Sequence, residues 1–311
     1  MALSRLLRGS DYICRVASDL PQRFGVHGPP DAGPRLGVIG SCNVDLIVRC
    51  RRLARPGETV VGDDVVRLPG GKGANQAAAL AALGADVSLL CSVGQDEDGE
   101  WLLRALRGRG VNVDLVRRSP RPTGAAFITV DDAGENEIVV SLGANADLEL
   151  GDVDLGRFDV VLAQLEIAES IVAAAAQRSP TFVLNAAPAR PVSAETLAHC
   201  AVVIANEVEA ESLELSGIEH CVVTMGERGA AHYALGREVA RCVAPRVTPV
   251  DTVGAGDVFC AAYALQFARG ASALDALRFA VVAATLATRA QGAQGALPTR
   301  EEVDAALARA S

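Results

Sequence analysis

The chain of 311 residues contains one lysine, one tryptophan, three tyrosines and four histidines. No two histidines stand four apart, which excludes an HExxH zinc helix. The eight cysteines, at 14, 42, 50, 91, 200, 221, 242 and 260, include no CxxC pair, and most sit inside apolar runs such as Leu89-Leu90-Cys91. They read as buried free thiols of a reducing cytoplasm, not as a zinc site or a disulfide framework. No apolar run approaches the roughly 20 residues that span a bilayer. The richest, 279–290, is too short and carries Arg289. Arg5 and Arg8 near the start lack the apolar segment of a secretion signal, so a cytoplasmic chain without a membrane partner is expected. With 29 basic against 38 acidic residues and a net charge of −9, the chain is no general nucleic-acid binder, because the phosphate backbone repels it.

What is present is a compact composition, 50% hydrophobic and 22% charged with 30 glycines. Residues 1–35 read as an N-terminal extension, with an Arg-rich helix candidate at 2–8 and a Gly/Pro-rich stretch at 25–34. From residue 36, strands and helices alternate. Strands are expected at 36–40, 86–91, 160–163, 181–185, 201–205 and 221–225. Helices are expected at 73–83, 97–106, 168–177, 207–215, 255–268 and 273–290. Continuous apolar strands between helices predict a doubly wound, mainly parallel α/β sheet covered on both faces. Two stretches break the rhythm: 44–51 with 59–68, and 124–130 with 137–141 across Asp131-Asp132-Ala133-Gly134. They predict a small β-sheet lid from about 44–68 and 112–141 on a domain running from 36 to 311.

Four clusters could carry chemistry. Asp251-Thr252-Val253-Gly254-Ala255-Gly256-Asp257 opens a helix, where free amides attract anions and Asp257 lies in the first turn. That pairing suits phosphoryl transfer, with amides taking negative charge and a carboxylate taking a hydroxyl proton. It serves equally as a helix start with an acid near the dipole. The sole lysine, Lys72, stands in Gly70-Gly71-Lys72-Gly73-Ala74-Asn75-Gln76. Glycines there permit close approach while Lys72 and Asn75 supply directional contacts, although a simple strand-to-helix turn has the same look. This stretch is no Walker A loop, and neither glycine cluster carries the dinucleotide GxGxxG fingerprint. Asn43 and Asp45 follow the first strand on one side, at the edge where parallel sheets bind ligands, or they form an Asx turn. Glu166, Asn185, Asn206 and Glu209 stand at later strand ends, each open to reading as a cap or turn. Asn43, Asn75, Asn185 and Asn206 together suggest one polar face at the carboxyl edge of the sheet.

From about residue 36 onward the chain resembles the ribokinase branch of the phosphofructokinase-B (PfkB) carbohydrate kinase family. Residues 70–90 look like the first family signature and 251–262 like the second, with Asn206-Glu207-Val208-Glu209 similar to the NxxE motif between them. Gln164-Leu165-Glu166 and the stretch Leu184-Asn185-Ala186-Ala187-Pro188-Ala189-Arg190 fit the same branch. The resemblance implies a ribokinase-like fold and ATP-dependent phosphorylation of the 5-hydroxyl of D-ribose. Asp257 would be the base, and Gly254, Ala255 and Gly256 the anion hole. Asn43, Asp45, Gly71, Lys72, Gly73, Ala74, Asn75 and Glu166 would hold the sugar beside Asp257. Asn206, Thr224, Met225, Gly226, Glu227, Arg228, Gly229, Gly256 and Asp257 would line ATP, with Glu209 organising Mg²⁺ through water. A K⁺ site would use Asp251, Val253, Ala287, Ala290 and Gly292, although Ala296 stands where a hydroxyl residue is expected and Val281 where a polar residue near adenine is common. A homodimer through the lid is also implied. A kinase for another pentose, deoxyribose or a nucleoside is the alternative. Scarce aromatics weigh against a nucleoside, and intact Asp257 with Gly254 to Gly256 weighs against a non-catalytic sugar sensor.

Overall fold

Short apolar runs that stop at a polar residue or a glycine become the buried strands of a nine-stranded sheet. In the computed structural model, which describes residues 14–16, 33–213 and 218–310, its order is Cys14–Val16, Arg237–Cys242, Ala230–Ala234, His220–Thr224, Cys200–Asn206, Phe182–Asn185, Val160–Ala163, Arg35–Ile39 and Asp86–Leu90. The six strands from His220–Thr224 to Asp86–Leu90 pair in parallel, and the other three add antiparallel at one edge. Val160–Ala163 and Phe182–Asn185 are buried at every residue, as a sheet covered on both faces requires.

One face packs against helices Lys72–Ala82, Glu97–Gly108, Ala255–Ala268 and Ala273–Ala287, and the other against Glu169–Arg178. Helix Ala255–Ala268 is apolar nearly all round, which suits its place between Lys72–Ala82 and Ala273–Ala287. Its N-terminus therefore emerges at the carboxyl edge of the parallel strands, where such sheets bind ligands.

A second, four-stranded sheet has the order Val66–Gly70, Asn43–Arg49, Gly124–Val130 and Asn136–Ser141. The turn at Asp131 closes the last pair, with the Gly134 amide donating to the Asp131 carbonyl at 3.0 Å. The expected strand at 59–68 is realised only from Val66, because the exposed residues before it have no face to bury. Residues 112–119 run beside the main sheet instead: Asn112 bridges Ser88, and Arg117–Ser119 pairs with Ser92–Gly94.

The helix expected at 273–290 ends at Ala287, where Thr288 turns back to accept the Val250 amide at 2.8 Å. The helix expected at 207–215 spans Glu207–Glu211, and residues 214–217 lie outside the described residues, as does the helix candidate at 2–8. From the expected extension, Cys14–Val16 forms the outermost strand, which the sequence pattern did not signal. No helix among the described residues is long and apolar enough to cross a membrane.

Candidate active site

Gly71 ends the turn into helix Lys72–Ala82 with φ of 86°, and a Cβ there would lie 2.8 Å from the Asn43 amide nitrogen. Only glycine lets the two segments touch. The same turn aims the Lys72 amide at Glu166 Oε2, at 3.0 Å, while Ser41 Oγ donates to that oxygen at 2.5 Å. Asn43 and Asp45 stand two apart in strand Asn43–Arg49 of the second sheet and so share one face. The Asp45 carboxylate lies against the α-carbon of Gly70, and Asn43 Oδ1 accepts from Asn145 Nδ2 at 2.7 Å. Asn145 also accepts the Cys42 amide at 2.9 Å and donates to the Cys42 carbonyl at 3.2 Å, so three bonds fix it. Because the Asn43 oxygen is thereby occupied, its amide NH₂ is the end left to face a ligand.

Gly254 has φ of 80° and opens helix Ala255–Ala268 in a left-handed turn. A Cβ there would come within 2.5 Å of the Ala293 α-carbon. In the next turn Asp257 is buried but doubly supported. Asn75 Nδ2 donates to its Oδ2 at 2.9 Å and Gln76 Nε2 to its Oδ1 at 3.1 Å. Gln76 is fixed in turn by Asn185 Oδ1 at 3.1 Å and by Gln164 Nε2, which donates to its Oε1 at 2.6 Å.

The charges form one mixed cluster. Burial raises the Asp257 pKa above the ordinary carboxylate value, opposed by Lys72 and by the Asn75 and Gln76 amides, while Glu166 adds to the rise. Burial pulls the Lys72 ammonium down, but Asp257, Glu166 and Glu209 outweigh it and leave the pKa raised. Asp45 is pushed up to about 7 by burial and then by Glu166 and Asp257. Relative to the ordinary 3.8, the folded chain then binds this proton more tightly than the unfolded chain. Stability from this group is therefore full at low pH and falls as pH rises through about 7. Asp45→Asn is expected to raise the thermal midpoint of the ligand-free protein, by roughly 2–5 °C at pH 8 and by less at pH 5. Calorimetry at both pH values checks this.

Asn206 caps helix Glu207–Glu211 through a reciprocal pair. The Glu209 amide donates to Asn206 Oδ1 and the Asn206 amide to Glu209 Oε2, both at 2.8 Å. Thr224 stands beside Asn206 in register, and the turn through Met225, Gly226, Glu227 and Arg228 closes as the Met225 amide donates to the Gly229 carbonyl at 2.8 Å. Arg228 pairs with Glu207 on the surface. Lys72, Asn185, Asn206, Glu209, Thr224, Gly254, Gly256, Asp257 and Cys260 line one open cleft of about 460 Å³. Burial and neighbouring carboxylates raise the Cys260 thiol well above its ordinary pKa, so it stays an inert wall.

Beside this cleft, Asp251 Oδ1 accepts the Val253 amide at 3.0 Å and Oδ2 the Gly292 amide at 2.8 Å. Asp251–Val253 is thereby drawn alongside the turn after Ala287, which includes Ala290. All the clusters singled out in the sequence thus meet at one sheet edge. Gln76, which closes the Lys72 cluster but has no role assigned from the sequence, belongs to the same network, as do Asn145 and Gln294, which the sequence reading does not single out. A shared pattern marks two of them: Gly143-Ala144-Asn145 and Gly292-Ala293-Gln294 repeat the small-small-amide form of Gly73-Ala74-Asn75. A carboxylate beside helix amides can take a hydroxyl proton while an anion is held next to it.

Known proteins are similar to this chain in sequence and in fold. Residues 34–300 match the sequence profile of the pfkB family carbohydrate kinases. The chain is 40% identical over 289 residues to a ribokinase of Bacillus subtilis, covering 87% of this chain and 98% of that relative. The solved structure of Thermotoga maritima ribokinase superposes with a TM-score of 0.82 at 30% identity, over 88% of this chain and 99% of the other. The Arabidopsis thaliana ribokinase complexed with ribose and ATP gives 0.81 at 31% identity, over 89% and 99%.

Proposed function

The chain belongs to the pfkB family of carbohydrate kinases, and on that premise we propose that it transfers the γ-phosphoryl group of ATP to the 5-hydroxyl of D-ribose. One observation carries the reading: Asp257 sits in the first turn of a helix opened by left-handed Gly254, in one cleft with Lys72, Asn206 and Thr224. Ribose lies among Asn43, Asp45, Gly71 to Asn75 and Glu166. Carboxylates there accept sugar hydroxyls, and Asn43 and Lys72 donate to them. ATP lies along Asn206 and Thr224 to Gly229, its phosphates reaching the amides of Gly254, Ala255 and Gly256. Asp257 takes the proton of the 5-hydroxyl as that oxygen bonds to the γ-phosphorus and ADP leaves. Against the burial that raises the Asp257 pKa, Lys72 and the amides of Asn75 and Gln76 favour the ionised carboxylate that a base requires.

Among the described residues no three His, Cys, Asp or Glu side chains gather into a metal cage. Glu209, with one oxygen on the Asn206 amide, fits an Mg²⁺ that keeps its waters and nucleotide phosphates. When bound, that ion would offset phosphate charge. The carboxylate of Asp251, with the carbonyls of Val253, Ala287, Ala290 and Gly292, is an all-oxygen set suited to K⁺, which would stiffen the anion hole.

The second sheet covers the sugar side as a lid. Phe127 and Val139, register partners on one face of this sheet and 51% and 67% exposed, support a homodimer that buries them against a second copy. Cytoplasmic residence agrees with the free thiols of Cys42, Cys91, Cys200, Cys221 and Cys260 among the described residues.

ADP formation from Mg·ATP tests the proposal, with D-ribose, 2-deoxyribose, fructose and adenosine as acceptors, with and without K⁺. Ribose is expected to have the highest kcat/KM and K⁺ to accelerate it. Preference for another acceptor would replace the substrate. Turnover indifferent to K⁺ would remove the cation site, and binding of ribose without turnover would make the chain a sugar sensor.

A further inference from the structure

The loop between helices Ala273–Ala287 and Arg300–Ala310 touches three parts of the site within three residues. The Gly292 amide donates to Asp251 Oδ2 at 2.8 Å, Ala293 packs on Gly254, and Gln294 Nε2 donates to Asn75 Oδ1 at 3.0 Å. Gln294 is only 6% exposed, and its backbone carbonyl accepts from Arg109 at 3.4 Å. Asn75 passes this contact on, because its Nδ2 donates to Asp257 Oδ2 at 2.9 Å.

A primary amide has one donor end and one acceptor end, so its partners decide which end faces which. The two amides on Asp257 differ in how they are fixed. Gln76 is held by Gln164 on its oxygen and by Asn185 on its nitrogen, so its donor end reaches Asp257 whatever happens elsewhere. The oxygen of Asn75 has Gln294 as its donor. Without that donor, Asn75 can turn its oxygen toward the carboxylate, placing lone pair against lone pair. Gln294 Oε1 is buried with no protein group donating to it, so the contact that orients this side-chain amide is the one its donor end makes to Asn75.

We propose that Gln294 is a positioning residue: by donating to Asn75 it fixes the amide that aligns Asp257, and it ties that alignment to the loop carrying Gly292. The inference rests on Asp257 being the base.

The test compares full-length wild type with Gln294→Met, which keeps the volume and removes the donor, and Gln294→Asn, which keeps an amide but draws it back by one methylene. Both are expected to lower kcat about tenfold, with KM for ribose and for ATP within twofold of wild type. The same change in an Asn75→Ala background is expected to cost nothing further. A loss residing in KM, no loss in either variant, or an equal loss with and without Asn75 would overturn the proposal. Should Gln294→Met lack a cooperative thermal transition, Gln294→Asn decides alone. Turnover surviving in Asp257→Asn would instead refute the base, which separates the two failures.

Discussion

Asp257→Asn is expected to lower kcat for ribose phosphorylation by about 10³-fold or more while leaving the dissociation constant for ribose within about fivefold. The substitution keeps the shape, and Asn75 and Gln76 can still contact the side-chain oxygen. What disappears is the carboxylate beside the amides of Gly254 to Gly256, in the first turn of helix Ala255–Ala268, that can accept a proton. Lys72 cannot replace it, because Glu166 and Glu209 still favour its ammonium form in the variant, and an ammonium has no lone pair to accept a proton. Rapid-quench turnover beside calorimetric ribose titration measures both quantities. A kcat within tenfold of wild type would remove Asp257 from the chemistry.

The second large effect is expected from Gly254→Ala. With φ of 80° and a Cβ forced to 2.5 Å from the Ala293 α-carbon, the methyl group must push apart the helix start and the 291–295 loop. The amides of residues 254–256 would then point away from the transferring phosphoryl group, and kcat should fall by about 10²–10³-fold. Gly110→Ala separates strain from chemistry. Gly110 has φ of 86° with open space around its α-carbon, so alanine there carries the backbone cost without touching the cleft. Both variants should lose thermal stability, but only Gly254→Ala should lose turnover. Equal kcat values in the two would argue against an anion hole at Gly254.

Much of this was legible along the chain. The helix Ala255–Ala268 and the strand Val160–Ala163 begin and end where the apolar pattern does, because each is buried on all sides and its boundaries are set by glycine or polar residues. Lys72 stood out as the one lysine among 28 arginines, and the structure sets it among Asp257, Glu166 and Glu209. What escaped were the amides. Asn145 meets Asn43 across 102 residues, and Gln294 meets Asn75 across 219. Neither contact leaves a local periodicity. The end of helix Ala273–Ala287 was overestimated for a related reason: Thr288 and Gly292 are recruited by Val250 and Asp251, a tertiary demand that overrides the alanine-rich propensity for helix. The strand Cys14–Val16 was missed because an edge strand of three residues has too little pattern to read.

The most direct measurement is the identity of the product. Full-length protein incubated with Mg·ATP, K⁺ and uniformly ¹³C-labelled D-ribose, followed by ³¹P and ¹³C NMR, reports which carbon acquires phosphate. The account predicts phosphate on C5 with one ADP formed per ribose consumed, and no such signal with Asp257→Asn. Phosphate on C1, or ATP hydrolysis that leaves ribose unmodified, would contradict it.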